Sequence, residues 1–321
     1  MDQEKSGSGR DAGTPAPGLG DVLRLLFREG TTPWPRWVDN PHPLRLPEGL
    51  PAGRVAATFV NHASFLLQSR GLNLLFDPIF SPRASPVSWA GPKRVKAPSP
   101  SFEQLPDIGL VLVTHNHYDH MDLPSLARLR RRFDPLFVTG RGNAATLAKA
   151  GLTKVLELEW WQEAGAAALG RAGGGARVTY TPARHFSARG LRDRGWALWG
   201  GFHLELEGLR VFFAGDTAYG PHFAEISSRL GAPDLALLPI GAYAPRWFFR
   251  AFHCDPEDAA RAHLDLRARL SLAMHFGTFK LTKEAYDQPV RELGEALSKK
   301  GIPPSGFRVL EHGQTVLVEA A

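Results

Sequence analysis

The residues most able to do chemistry stand in one short run, His115-Asn116-His117-Tyr118-Asp119-His120. Three imidazoles and one carboxylate fall within six positions. Imidazole nitrogen and carboxylate oxygen are the donors that zinc and neighbouring divalent cations accept. A regular strand or helix could not aim all four at one point, because successive side chains alternate on a strand and rotate around a helix. A loop leaving a strand end can. One loop does not saturate a pair of ions, which takes about seven protein ligands and a shared solvent molecule. Three more ligand-type residues stand where apolar runs stop: His185 after ARVTYTPAR, Asp216 after LRVFFAG and His275 after LSLAM. Alone, each reads as a cap or a core hydrogen bond. Together with the 115–120 run they form a ligand set.

The elements that must position these residues are legible as apolar runs. Residues 54–60, 64–69 and 72–77 are strand-like and separated by turn residues. Residues 108–114 form a buried strand that runs straight into His115. Further strands are expected at 135–139, 154–158, 177–183, 202–207, 210–214, 235–239 and 271–274. Helices are expected at 123–132, 143–150, 256–268 and 283–299, and the stretch GAAALGRAGGGA reads as a glycine-rich turn. Strands dominate early and helices intersperse later, which predicts a layered α/β protein with sheets packed on each other and helices outside.

The N-terminus organises differently. Residues 1–20, rich in Gly, Ser, Pro and charge, predict a disordered tail. Residues 21–53 predict an extension made of a short amphipathic helix over 21–29 and a Pro-rich covering arm. Residues 54–321 then form the catalytic domain. The chain has 321 residues, 43% of them hydrophobic, enough for a large single core. One cysteine, Cys254, excludes an internal disulfide and a multi-thiolate zinc site, so a metal must be held by His and carboxylate. The net charge of +6 admits nucleic acid or an anionic membrane as a partner, but RLRRR at 128–132 reads as a solvated helix face. No basic and apolar leader precedes the domain, and no run of about 18 apolar residues occurs. The expected location is the cytoplasm, peripheral at the inner face of the membrane.

The motif HxHxDH, followed by a distal His, a Gly-Asp and a final His, resembles the metallo-β-lactamase superfamily. Within it the closer resemblance is to the N-acylphosphatidylethanolamine-hydrolysing phospholipases D. It extends from about Trp34 to the C-terminus through HASFLLQ, FDPIFSPRASPVSWAGPKR, THNHYDHMD, LWGGF, FFAGDTAYG, LLPIGAYAPRWF, CDPEDAARAH and MHFGTF.

That resemblance implies an αββα sandwich of two mixed sheets flanked by helices. It also implies two zinc ions, with iron or manganese as alternatives. His115, His117 and His185 would hold the first ion, Asp119, His120 and His275 the second, with Asp216 bridging. Asp119 and His253 would be the catalytic side chains, the first orienting the nucleophile and the second lying near the substrate phosphate. His62 is expected beside the metal loop in a structural role, and Asn61 stands where the family commonly has glycine. His42, His203, His222, His263 and His312 carry no ligand logic. The implied reaction is attack of a hydroxide shared by two zinc ions on a phosphodiester, releasing N-acylethanolamine and phosphatidic acid. Tyr118, Tyr219, Trp247 and Phe248 are the expected substrate contacts, with Trp34 and Trp37 helping at a membrane. Alternatives are a general phosphodiesterase or a lactonase, then a nuclease or a metal-binding protein without turnover. The expected partner is membrane phospholipid rather than nucleic acid, and a homodimer is expected.

Overall fold

A computed structural model describes residues 32–190 and 192–320, together with Gly18, Gly20, Asp21, Arg24, Leu25 and Gly30. Most of the expected tail and part of the 21–29 stretch lie outside the described residues; Gly20, Asp21, Arg24 and Leu25 are helical.

Strand-forming runs rich in Val, Leu and Phe build two seven-stranded sheets. The first is assembled from β1 (Arg54–Asn61), β2 (Ser64–Ser69), β3 (Leu72–Phe76), β4 (Leu110–Val113), β5 (Leu136–Gly140) and β6 (Val155–Leu158). The last strand of the chain, β14 (Thr315–Glu319), returns to pair with β1. Its order is β14-β1-β2-β3-β4-β5-β6, antiparallel up to β3 and parallel from β3 to β6. The second sheet contains β7 (Glu163–Ala164), β8 (Arg177–Thr181), β9 (Gly201–Leu206), β10 (Leu209–Phe213), β11 (Leu235–Pro239), β12 (Leu270–Met274) and β13 (Phe307–Arg308). Its order is β13-β12-β11-β10-β9-β8-β7, parallel from β13 to β10 and antiparallel beyond.

The strands read as continuous apolar runs because both faces are covered. On β2, Phe65 and Leu67 enter the core between the sheets, while Leu66 faces Val111, Leu126 and Phe137 under a helix. Phe76 of the first sheet stacks on Phe213 of the second at 4.3 Å between ring centroids. Helices α1 (Leu123–Phe133), α4 (His222–Leu230), α6 (Pro256–Leu266) and α7 (Gln288–Lys300) carry the outer layers, with short turns α2 (Ala144–Ala148), α3 (Ala166–Leu169) and α5 (Arg246–Phe249). The result is an αββα sandwich of two mixed sheets.

Several elements depart from the sequence expectation. The stretch GAAALGRAGGGA is not a plain turn: three alanines, the best helix formers, wind into α3 and bury Leu169. The helix expected at 283–299 starts only at Gln288, because Pro289 fits the first turn and not the interior. Helix α4 was not anticipated. It buries His222, Phe223, Ile226 and Ser227, a face interrupted by polar residues that weaken its periodic signal. The RLRRR cluster is partly engaged within the fold. Arg128 pairs with Glu103 and lies over the Phe102 ring, and Arg132 donates to the carbonyls of Phe102, Glu103 and Leu105.

Candidate metal centre

Each ligand-type residue leaves a strand end. β4 ends at Val113, and the chain turns irregularly through 115–121, with His120 N–H and Met121 N–H both donating to the His117 carbonyl. β10 ends at Phe213, and Gly215 at φ +60° bends the chain before Asp216. A Cβ at Gly215 would come within 2.8 Å of the Gly200 carbonyl oxygen, so the turn needs glycine. β12 ends at Met274, and His275 adopts φ +65°, a left-handed conformation that aims its ring inward. His62 and Asp77, at φ +47° and +38°, are also left-handed non-glycine residues beside the cluster. Such conformations persist only where the surroundings over-determine them.

The side chains converge. Donor atoms of His115, His117, His185 and Asp216 all lie within 4.8 Å of one another, as do those of His62, Asp119, His120 and His275. Asp216 joins the two groups: one oxygen is 3.2 Å from His120 Nε2, the other 3.1 Å from His275 Nε2. Asp119 Oδ2 is 3.3 Å from His275 Nε2 and 3.0 Å from His62 Nε2.

A relay behind the cluster fixes where the ring protons sit. His115 Nδ1–H donates to Thr114 Oγ1 at 2.9 Å, and that hydroxyl donates to Asp77 Oδ2 at 2.7 Å. His120 Nδ1–H donates to the same carboxylate oxygen at 2.7 Å. His185 Nδ1–H donates to the Phe252 carbonyl at 2.9 Å. With their protons held outward, His115 Nε2 and His185 Nε2 present lone pairs to His117 Nδ1 at 2.9 and 3.1 Å. At most one proton, on His117 Nδ1, serves these three converging nitrogens, an arrangement that a cation would complete. His120 Nε2, His275 Nε2 and Asp216 Oδ1 are buried without a hydrogen-bond partner among the described residues. Buried polar groups are rarely left so. The set therefore fits bound metal, and its mixed nitrogen and oxygen chemistry suits zinc, iron or manganese.

Electrostatics divide the histidines. Burial, then His120, holds His115 well below its ordinary value, and burial with His185 brings His117 down to about 3. Burial brings His185 to about 4 and holds His253 well down. For His120 and His275, burial works in the same direction but is outweighed by Asp216 and Asp119. His120 ends well above the usual range and His275 at about 9. Asp119 and Asp216 are correspondingly held far below the ordinary carboxylate value, against burial, by His120 and His275.

The remaining expected site residues are placed as follows. His253 is partly buried beside the cluster, its Nδ1 3.9 Å from Asp216 and without a hydrogen-bond partner among the described residues, its ring centroid 5.0 Å from that of His185. Trp247 and Phe248 belong to α5, and their rings connect through Phe249 to His253. Tyr118 donates its hydroxyl to the Arg189 carbonyl at 2.8 Å. Tyr219 is not drawn into the cluster, because its hydroxyl donates to Asp265 and its ring lies under Arg261. Trp34 is engaged within the fold, donating Nε1–H to the Glu284 carbonyl and packing on Tyr286, whereas Trp37 is exposed. Asn61 ends β1 and donates to the Ile79 carbonyl. His203, His222, His263 and His312 are buried in the fold, outside the His/Asp groupings that gather around Asp216. Among the described residues, no helix is long and apolar enough to cross a membrane.

Sequence reasoning missed Asp77 and Thr114. Asp77 carried the same signal as the ligands, a carboxylate where the apolar run LNLLF stops. Nothing in the sequence marked Thr114 as the link between two histidines.

Residues 72–276 match the beta-lactamase superfamily domain. The chain is 32% identical over 314 residues to N-acyl-phosphatidylethanolamine-hydrolyzing phospholipase D 1 of Caenorhabditis elegans, covering 93% of this chain and 87% of that protein. It is 36% identical over 234 residues to the mitochondrial N-acyl-phosphatidylethanolamine-hydrolyzing phospholipase D of Saccharomyces cerevisiae, covering 72% of this chain and 49% of that one. Among solved structures, Igni18, a metallo hydrolase from Ignicoccus hospitalis, shares the fold with a TM-score of 0.62 at 24% identity, covering 84% of this chain and all of its own.

Proposed function

Because this chain belongs to the metallo-β-lactamase superfamily and is a metal-dependent hydrolase, we propose that it cleaves the phosphodiester of N-acylphosphatidylethanolamine in the manner of a phospholipase D. His115, His117 and His185 would hold one cation and Asp119, His120 and His275 the other, with Asp216 shared; zinc is the expected pair. Bound divalent cations supply Lewis acidity and water that ionises near neutral pH.

The chain's own residues do the rest. The Asp77–Thr114 relay keeps the histidine protons turned outward, so that ring nitrogens stay available. Asp119 orients the attacking water. His253, held neutral by burial, keeps one ring N–H to donate a hydrogen bond to a phosphate oxygen or to the oxygen that departs with N-acylethanolamine. Water oxygen bonds to phosphorus, the bond from phosphorus to the ethanolamine oxygen breaks, the proton lost by the water ends on that oxygen, and N-acylethanolamine and phosphatidic acid leave.

The observation that carries this reading is an unbroken aromatic wall from the outer turn to the metal cluster. Ring contacts run from Trp247 to Phe248, Phe249 and His253, then to His185, Phe186 and Phe252, at centroid separations between 4.9 and 6.0 Å. Such a wall offers apolar surface on which acyl chains can lie. The activity for which the worm and yeast relatives are named supports the same substrate. The test is turnover of N-acylphosphatidylethanolamine in mixed micelles by metal-loaded protein, beside a nitrophenyl phosphodiester and an aliphatic lactone. Release of N-acylethanolamine that stops on chelation is expected. Lactone turnover without any phosphodiester turnover would overturn the proposal.

A further inference from the structure

Arg194 lies on the segment between His185 and β9. Its guanidinium stacks on Phe186, with Cζ 3.5 Å from the ring centroid, and lies 5.4 Å from the Phe252 ring. Both rings belong to the metal centre. The Phe186 centroid is 4.8 Å from that of His117 and 4.9 Å from that of His185, and the Phe252 carbonyl receives the His185 proton. Arg194 therefore stands one ring away from two expected metal ligands.

One of its donors is buried and unused. The NH2 nitrogen is buried without a hydrogen-bond partner among the described residues. Burial alone lowers the guanidinium's pKa, with no neighbouring carboxylate opposing it. The adjacent carboxylate of Asp193 is engaged by the backbone N–H groups of Arg189 and Gly190. Other guanidiniums around the centre are tied down: Arg189 to the carbonyls of Asn116 and Met121, Arg184 to Tyr219, Arg246 to Asp255 and Asp258. The side chain is partly exposed, so its remaining donors are open to an incoming anion while one nitrogen is held dry against the rings. The planar guanidinium matches the two oxygens of a phosphate or carboxylate.

We propose that Arg194 is a substrate-binding cation that takes a non-bridging oxygen of the substrate's anionic group, a phosphodiester if the reaction proposed above holds. Anion recognition is then shared between the metal centre and a side chain clamped by the same phenylalanines that line it. This rests on the hydrolase reading for the identity of the anion, but not for its charge.

The test uses the metal-loaded full chain with Arg194→Gln and Arg194→Lys. Two quantities are read: KM and kcat for a phosphodiester substrate, and the affinity for inorganic phosphate and for a short-chain dialkyl phosphate. In Arg194→Gln, KM and both dissociation constants should rise about 10- to 100-fold, as loss of a charged hydrogen bond does. Metal content and melting temperature should hold, and Arg194→Lys should recover part of the loss. A larger effect on dialkyl phosphate than on inorganic phosphate assigns the site to the diester; the reverse assigns it to free phosphate. Unchanged affinities, or a loss that follows metal content and melting temperature, would refute the assignment. Should the protein turn over no phosphodiester at all, the proposed reaction fails, and the two phosphate affinities still decide for or against Arg194.

Discussion

At the scale of single residues, the centre depends on groups that never touch substrate. Asp77 is fully buried and receives both the His120 ring proton and the Thr114 hydroxyl proton. Such outer partners orient metal-binding imidazoles and raise their basicity. Asp77→Asn should weaken metal binding about 10- to 100-fold, read by titration against a competing chelator, while the fold persists. The protonation pattern makes a second prediction. In the metal-free chain His275 titrates at about 9 against an ordinary 6.5, and His120 is also raised. A raised pKa means that the folded chain holds protons the unfolded chain releases. The stability so gained is complete below about 6.5 and is lost as pH rises through about 9. Thermal melts in chelator should therefore fall between those values, and metal-loaded protein should not share that slope, because the cation replaces the protons.

At the scale of elements, strand ends and the turns that follow them aim the ligands. Gly241, just beyond β11, lies against the strand that delivers His275, and a Cβ there would come within 2.1 Å of the His275 carbonyl oxygen. Gly241→Ala should destabilise the protein by about 1–3 kcal/mol and lower metal occupancy, checked by denaturant unfolding and elemental analysis. Turn α5 makes a different prediction. No residue of it is fully buried, and its aromatic side chains lead into the centre. Replacing Trp247 and Phe248 together with alanine should raise KM for micellar lipid by 10-fold or more. Metal content and turnover of a small soluble phosphodiester should change little. Equal losses on both substrates would remove α5 from the lipid path.

At the scale of the whole molecule, residues far apart in sequence are tied around the site. Val38 pairs with Lys96, Asn40 donates to the His312 carbonyl, and Trp34 reaches Glu284, so the N-terminal arm straps the segments flanking His275. Glu284 in turn accepts from the backbone N–H groups of Ala242 and Ala244, which lead into α5. Trp34→Ala removes a hydrogen bond and an edge-on contact with Tyr286. It should cost about 1–3 kcal/mol in a thermal or denaturant melt. Removal of metal should act more widely, lowering the melting temperature by binding linkage, since the ligands come from both sheets and the linkage acts on the whole sandwich.

The sequence alone determined the chemistry and the layering. Four ligand-type residues in six positions, and three more where apolar runs stop, pointed to a metal-binding set because donor type and strand-end placement are local properties. The long apolar runs marked most strands, since both their faces are buried and no alternation was needed to find them, whereas β14, an edge strand with Leu317 and Glu319 exposed, was not anticipated. Short elements escaped: β7 and β13 are two residues each, too brief for any period, and α4 breaks its own pattern with buried polar residues. Only the tertiary structure decided which donors meet, because Asp216 is brought against His120 by the packing of one sheet on the other and against His185 by the order of strands within its own sheet. It alone turned Tyr219 toward Asp265, engaged Trp34 in the fold and left one Arg194 nitrogen without a hydrogen-bond partner among the described residues. Those outcomes depend on distances through space between segments whose separation along the chain says nothing about contact.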